Sequence, residues 1–180
     1  MDKLSPRLAI MLSLFFALPR SSWAADTTPP TTPSVTDDGT YTTNPASLHA
    51  TWTSADPETG IVEYQYRIRQ DSVAGPIVVT WTSTGAASSV TRSGLSLLQG
   101  KWYYFQVKAR NGDGLWSAVG SSNGIRVDAT IPTAPRIPTE GSTLDLDYNG
   151  TGAYYIFWGA AIDVESGIAA YELQERLGTA

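Results

Sequence analysis

The sequence predicts an all-β chain folded as an antiparallel β-sandwich, on three observations. Apolar residues recur with period two, not the ~3.6 of a helix, which places alternate side chains on one face of a strand. Turn-forming clusters interrupt these runs at roughly 8–12-residue intervals, the spacing of short strands in a sandwich. Only 16% of residues are charged, against about 25% in an average soluble chain. With 16 Gly and 11 Pro in 180 residues, that composition does not support long solvated helices or a coiled coil.

Residues 1–24 read as a leader and not as part of the fold. Lys3 and Arg7 precede the apolar run Leu8–Leu18, Pro19 breaks it, and Ser22-Trp23-Ala24 carries small residues where a signal peptidase reads. This is the layout of a secretory signal peptide. The run of 11 residues is shorter than the ~20 that a membrane-spanning helix needs, and no later segment approaches that length. Removing 1–24 leaves 9 basic and 16 acidic residues, a net charge of −7. The expected address is therefore outside the cytoplasm, secreted or at the cell surface, with no transmembrane segment after cleavage.

The strands follow. Leu48, Ala50 and Trp52 alternate with His49 and Thr51; Tyr64, Tyr66 and Ile68 alternate with Gln65, Arg67 and Arg69. Ile77–Thr82 is β-branched and aromatic, and Ala87–Arg92 reads as a short strand. Tyr103, Phe105, Val107 and Ala109 alternate with Trp102, Tyr104, Gln106, Lys108 and Arg110, and Leu115–Val127 carries one or two strands more. Turns are expected at Asp37–Gly39, Asp56–Gly60, Ala74–Pro76, Thr84-Gly85, Gln99-Gly100 and Asn111–Gly114, all rich in residues that tolerate unusual φ or bond their own backbone.

This succession resembles a fibronectin type III domain of the kind repeated in bacterial exported proteins. The carriers are Leu48-His-Ala-Thr-Trp52, Tyr64 opening the next strand, the Leu97-to-Tyr103 spacing, and Val107-Lys-Ala-Arg-Asn111-Gly-Asp-Gly114. The resemblance implies an immunoglobulin-like sandwich with a tyrosine corner, in which the Tyr103 hydroxyl bonds backbone upstream. Gln99 departs from it, since the family usually has Pro before the Gly.

The chain also repeats itself. Asp26–Pro33 matches Asp128–Pro135 at five of eight positions, Trp52 matches Trp158, Asp56–Ile61 matches Asp163–Ile168, and Tyr64 matches Tyr171. One complete unit is expected over 26–127. Residues 128–180 correspond to the N-terminal half of a second, truncated unit, which lacks the sheet that would cover Trp158 and Ile156 and is not expected to be stable alone. The Pro/Thr segments at 27–33 and 129–135 read as stiff joints.

Composition restricts the chemistry. With no Cys and one His, thiol catalysis, disulfides, zinc ribbons and multi-histidine metal sites are excluded. A net charge of −5 argues against nucleic acid as a partner. Gly120-Ser-Ser-Asn-Gly124 fits a nucleophile-elbow pattern, but no helix follows Ser122 and the lone His49 sits on the polar side of its strand, so no catalytic residue is assigned. Asp56 with Glu58, and Asp163 with Glu165, admit a Ca²⁺ reading, but two carboxylates per loop fall short of the about six to eight oxygens the ion takes; a turn-capping role is the alternative. No metal or cofactor is assigned. Asn149-Gly-Thr151 is a glycosylation acceptor only in a eukaryotic context.

Trp102 and Tyr104, with Arg67 and Arg69 on an adjacent strand, form the one candidate interaction surface, facing extracellular protein or carbohydrate or merely stabilising an exposed sheet. Trp81 and Trp116 have ambiguous register, with the sandwich ends as one place for them. The expected function is a non-catalytic exported module, a spacer, scaffold or adhesion unit of a longer repeat protein. The alternative is an accessory module of a secreted polysaccharide-degrading enzyme, its catalytic domain lying beyond residue 180.

Overall fold

A computed structural model describes residues 25–136, 139–140 and 156–174. The expected leader at 1–24 and the acceptor sequence at Asn149 lie outside them. Nine strands build the main body: β1 (Ser34–Asp37), β2 (Tyr41–Thr42), β3 (Ser47–Thr53), β4 (Ile61–Gln70), β5 (Ile77–Gly85), β6 (Ser89–Ser93), β7 (Trp102–Asn111), β8 (Gly120–Ser121) and β9 (Ile125–Val127). One sheet has the order β1-β3-β6. The other runs β2-β9-β7-β4-β5, with β8 also on β7. All pairings are antiparallel except the short parallel β2–β9 pair. Two further short strands, β10 (Thr139–Glu140) and β11 (Ile156–Phe157), pair with each other. The fold is the β-sandwich that the alternation predicts.

The core is the set of alternate residues that point between the sheets. Leu48, Ala50 and Trp52 come from β3, Tyr64, Tyr66 and Ile68 from β4, and Tyr103, Phe105, Val107 and Ala109 from β7; all are buried. Trp52 lies 5.9 Å from Tyr64 and 6.4 Å from Tyr66, which is 6.1 Å from Phe105, ring centre to ring centre. Such pairs contribute about 0.5–1.5 kcal/mol each beyond their area burial. The tyrosine corner is present: the Leu98 N–H donates to the Tyr103 hydroxyl at 2.8 Å. Gly100 follows at φ 73°, a left-handed position that favours glycine.

Several elements differ from the sequence reading: β4 opens at Ile61 and not at Tyr64, and β5 runs on through Thr84-Gly85, where a turn is expected. β1 and β2 carry no apolar alternation, and pairing with β3 and β9 makes them strands. Asp37, read as a turn residue, ends β1 and is buried, its carboxylate accepting the Gly124 N–H at 3.1 Å. The strand expected at Ala87–Arg92 is β6, Ser89–Ser93, because the turn before it extends to Ala87, whose N–H donates to the Thr84 carbonyl at 3.2 Å.

Candidate functional site

The outward face of β4 and β7 holds all four predicted surface residues. Across the register Arg69 stands opposite Tyr104, Arg67 opposite Gln106, Gln65 opposite Lys108 and Glu63 opposite Arg110. The Trp102 and Tyr104 rings stack on each other at 6.5 Å. Tyr104 also packs against Gly124, where a Cβ would sit 2.4 Å from its ring, so only glycine fits there. Arg67 turns instead to Trp81, its guanidinium 4.5 Å from the ring centre. Lys108 lies 4.8 Å from Trp81 and 4.2 Å from Trp116, and Arg110 lies 5.6 Å from Trp116. Trp81 and Trp116 are therefore part of this face and do not close the sandwich ends.

Gln106 anchors the middle of the face. Period two places it outward, yet it is 6% exposed, because two arginines fold over it. Its Oε1 accepts Arg67 Nε at 2.7 Å and Arg69 Nε at 3.1 Å, while its amide donates to Ser121 Oγ at 3.2 Å. Burial, then the neighbouring Arg69 charge, hold the Arg67 pKa below its usual value. At the far end Arg110 pairs with Glu63 at 2.8 Å. The Gln65 and Ser83 side chains, with Arg110 and Lys108 adding to them, hold the Glu63 carboxyl below the ordinary range. Sequence reasoning missed Trp81 for an identifiable reason. Between the pairs Tyr66–Thr82 and Ile68–Val79, β4 advances two residues while β5 advances three, and Trp81 falls in that bulge.

The acidic loops form two clusters with matching composition. Asp26, Asp56 and Glu58 bring carboxylate oxygens within 4.8 Å of one another, and so do Asp128, Asp163 and Glu165; each is the repeat partner of the other. Asp163 caps its own loop, accepting the backbone N–H groups of Glu165, Ser166 and Gly167 at 2.9–3.2 Å. Asp56 accepts the Thr59 N–H at 2.9 Å. Asn111, fully buried, bridges the first cluster, donating from Nδ2 to Asp26 at 2.8 Å and to Asp56 at 3.1 Å. Its Oδ1 meanwhile accepts the Leu115 N–H at 2.8 Å, closing the turn after β7.

Ser122 and His49 have local partners. Ser122 exchanges bonds with Phe105, its N–H donating to the Phe105 carbonyl at 2.9 Å and its Oγ accepting the Phe105 N–H at 3.1 Å. The Ser122 side chain thus continues the β7 ladder, and His49 pairs with Asp38 at 2.7 Å.

The segment joining the two copies of the repeat is tied to the end of the sandwich. Gln99 donates from Nε2 to Asp128 Oδ1 at 3.2 Å and to Thr130 Oγ1 at 3.1 Å, and its Oε1 accepts the Ala129 N–H at 2.8 Å. Arg126 donates to the Gly100 carbonyl and to the Glu165 carbonyl, both at 3.0 Å. The Asp128 carboxyl lies below its ordinary range, owing first to Ser166 and then, against opposing burial, to Gln99 and Thr130. Beyond the joint, Trp158 and Tyr171 are 40% and 42% exposed, where their counterparts Trp52 and Tyr64 are 2% and 6% exposed.

No helix among the described residues is long and apolar enough to cross a membrane. No family model matches the chain, and no curated protein does. Solved structures similar to it include the twitchin kinase region from C. elegans, with 18% identity and a TM-score of 0.42 over 57% of this chain and 17% of that one. Domains of titin align with 21% identity and a TM-score of 0.39 over 56% of this chain and 32% of that one. A Fn3-like protein from Clostridium thermocellum aligns with 21% identity and a TM-score of 0.34, over 55% of this chain and 91% of that one. The chain thus spans less than a third of that twitchin structure and of that titin structure, and its assignment as an immunoglobulin-like β-sandwich rests on its own strand order and tyrosine corner.

Proposed function

We propose that the chain is a non-catalytic, exported spacer module, a rigid sandwich that holds the next repeat at a fixed reach. The observation that carries this reading is the joint. Proline keeps the 129–135 segment extended, and the Gln99 and Arg126 side chains fasten both its start and the Glu165 loop beyond it. Hydrogen bonds of this kind are worth about 0.5–1.5 kcal/mol each, so several together hold one arrangement against thermal motion where a single one would not. A spacer needs that stiffness and an adaptable linker lacks it.

The test is a distance distribution. The chain has no Cys, so Val73→Cys and Val164→Cys, both at exposed positions, give unique spin-label sites on either side of the joint. Pulsed electron resonance should return one narrow distance. A broad distribution, as from a flexible tether, would sink the spacer reading.

A further inference from the structure

We propose that the outer face of β4, β5 and β7 binds an extended acidic peptide whose carboxylates fall on alternate residues. This goes beyond the spacer role and does not depend on it. These three strands contain Arg67, Arg69, Lys108 and Arg110, a third of the chain's 12 basic residues, and one acid, Glu63. The face is therefore positive on a chain whose net charge is −5. Among the described residues only Arg110 has a carboxylate partner there, and Arg67 and Arg69 have none. The Nε groups of Arg67 and Arg69 share the single side-chain carbonyl of Gln106, and Arg69 Nη1 donates to the Gly75 carbonyl at 2.6 Å. Two neighbouring guanidinium groups held only by neutral acceptors are an arrangement that an incoming anion relieves.

The register decides which anion. Arg69, Arg67, Lys108 and Arg110 occupy the levels of residues 104, 106, 108 and 110 on β7, one cation at each step of two residues. Steps of two residues along a strand are about 6.8 Å, so the ladder extends roughly 20 Å. An extended peptide presents alternate side chains on one face at that same ~6.8 Å repeat. Acidic side chains at every second position would meet the cations one for one. The rings already have partners in the fold. Trp81 carries Arg67 and Lys108, Trp116 carries Lys108 and Arg110, and Trp102 and Tyr104 stack on each other. Base stacking requires open aromatic faces, and so does a sugar platform.

The experiment is fluorescence anisotropy on the full chain at low salt, where surface charge is least screened. The probe is a labelled peptide of alternating Glu and Thr, about eight residues long to match the ladder, and its isomer with all Glu in one block. The alternating peptide should bind roughly tenfold tighter, since the block isomer loses register at about two contacts worth up to ~1 kcal/mol each. Arg67→Gln with Arg69→Gln should weaken binding of the alternating peptide by a similar factor, with the melting temperature as a check on folding. The comparison of the two peptides needs no variant, so it stands even where the double variant fails to fold. Equal affinity for the two peptides, no binding at low salt, or tighter binding of a polyuronate or single-stranded DNA of equal charge would each overturn the proposal.

Discussion

Replacing Gln99 with alanine should loosen the joint and leave the sandwich intact. Its side chain makes three hydrogen bonds, to Asp128, Thr130 and the Ala129 N–H, and none to the tyrosine corner beside it. Asp128 is buried, but Gln99 itself, Ala129 and Thr130 are exposed, so each contact is taken at the low end of its range, about 0.5 kcal/mol. Their sum, about 1.5 kcal/mol, is roughly a tenfold change in the ratio of closed to open joint. The readout is amide hydrogen exchange at Ala129, whose N–H loses its acceptor and should exchange roughly tenfold faster. The control is the thermal midpoint of the sandwich, which should hold because Leu98 and Tyr103 keep their bond. Gln99→Pro, the residue that the fibronectin type III resemblance favours, removes the same three bonds and should show the same faster exchange. Unchanged exchange at Ala129, or a fall in midpoint as large as a core mutation produces, would refute the assignment of Gln99 to the joint.

Three further outcomes follow from the geometry. Tyr103→Phe removes the acceptor of the Leu98 N–H and should cost about 1 kcal/mol, read as a lower urea midpoint with an unchanged slope. Ser122→Ala strips the buried Phe105 N–H of its partner and should cost about 1–3 kcal/mol; an unchanged midpoint would mean the serine has no part in the β7 ladder. Acid should destabilise the fold through carboxyls whose pKa is depressed when folded. These are Asp26, held by Thr28, Glu63, held by Gln65 and Ser83, Asp71, held by Gln70 and Lys101, and Asp128, held by Ser166. Their contribution is complete above the unfolded value of about 4 and is lost as pH falls through the lower folded values. Unfolding free energy measured against pH should therefore drop on the acid side, and Glu63→Gln should make that drop shallower.

What the sequence revealed divides along a physical line. Alternation is a property of a strand that buries one face, so the inward residues of β3, β4 and β7 were legible, Trp52, Tyr66 and Phe105 among them, though not the strand ends. β1 and β2 are strands because a neighbour pairs with them, and pairing leaves no periodicity in Ser34–Asp37 to read. The surface was legible in part for a related reason. Period two places Arg67, Arg69, Trp102 and Tyr104 outward, but it cannot say that long cationic side chains will lie across a strand to reach Trp81 or Trp116. Nor can it say that they will bury the polar Gln106 beneath them. Long side chains bury their stems and choose partners by reach, which only the folded register supplies.

The internal repeat carries the argument further, because its two copies separate local roles from positional ones. Asp26 accepts the Thr28 hydroxyl at 2.7 Å, and Asp128 accepts the Thr130 hydroxyl at 3.2 Å. Asp56 and Asp163 each accept the N–H of the residue three positions on, at 2.9 Å in both copies. These four aspartates do the same work wherever the motif occurs, which is to set a turn. Each opening aspartate also meets the equivalent residue of its own acidic loop, Thr59 on Asp26 and Ser166 on Asp128, but the side-chain amide that reaches it differs. Asp26 receives Asn111, from the end of β7 in the same copy. Asp128 receives Gln99, from the copy before it. A residue that merely supported the turn would belong to the same copy in both cases. Gln99 belongs to the preceding one, and at its position the fibronectin type III resemblance would place a proline, with no side-chain amide to donate. The departure from the family pattern and the fastening of the joint are thus one feature of the chain, and the substitution that tests the joint also tests why this position is not proline.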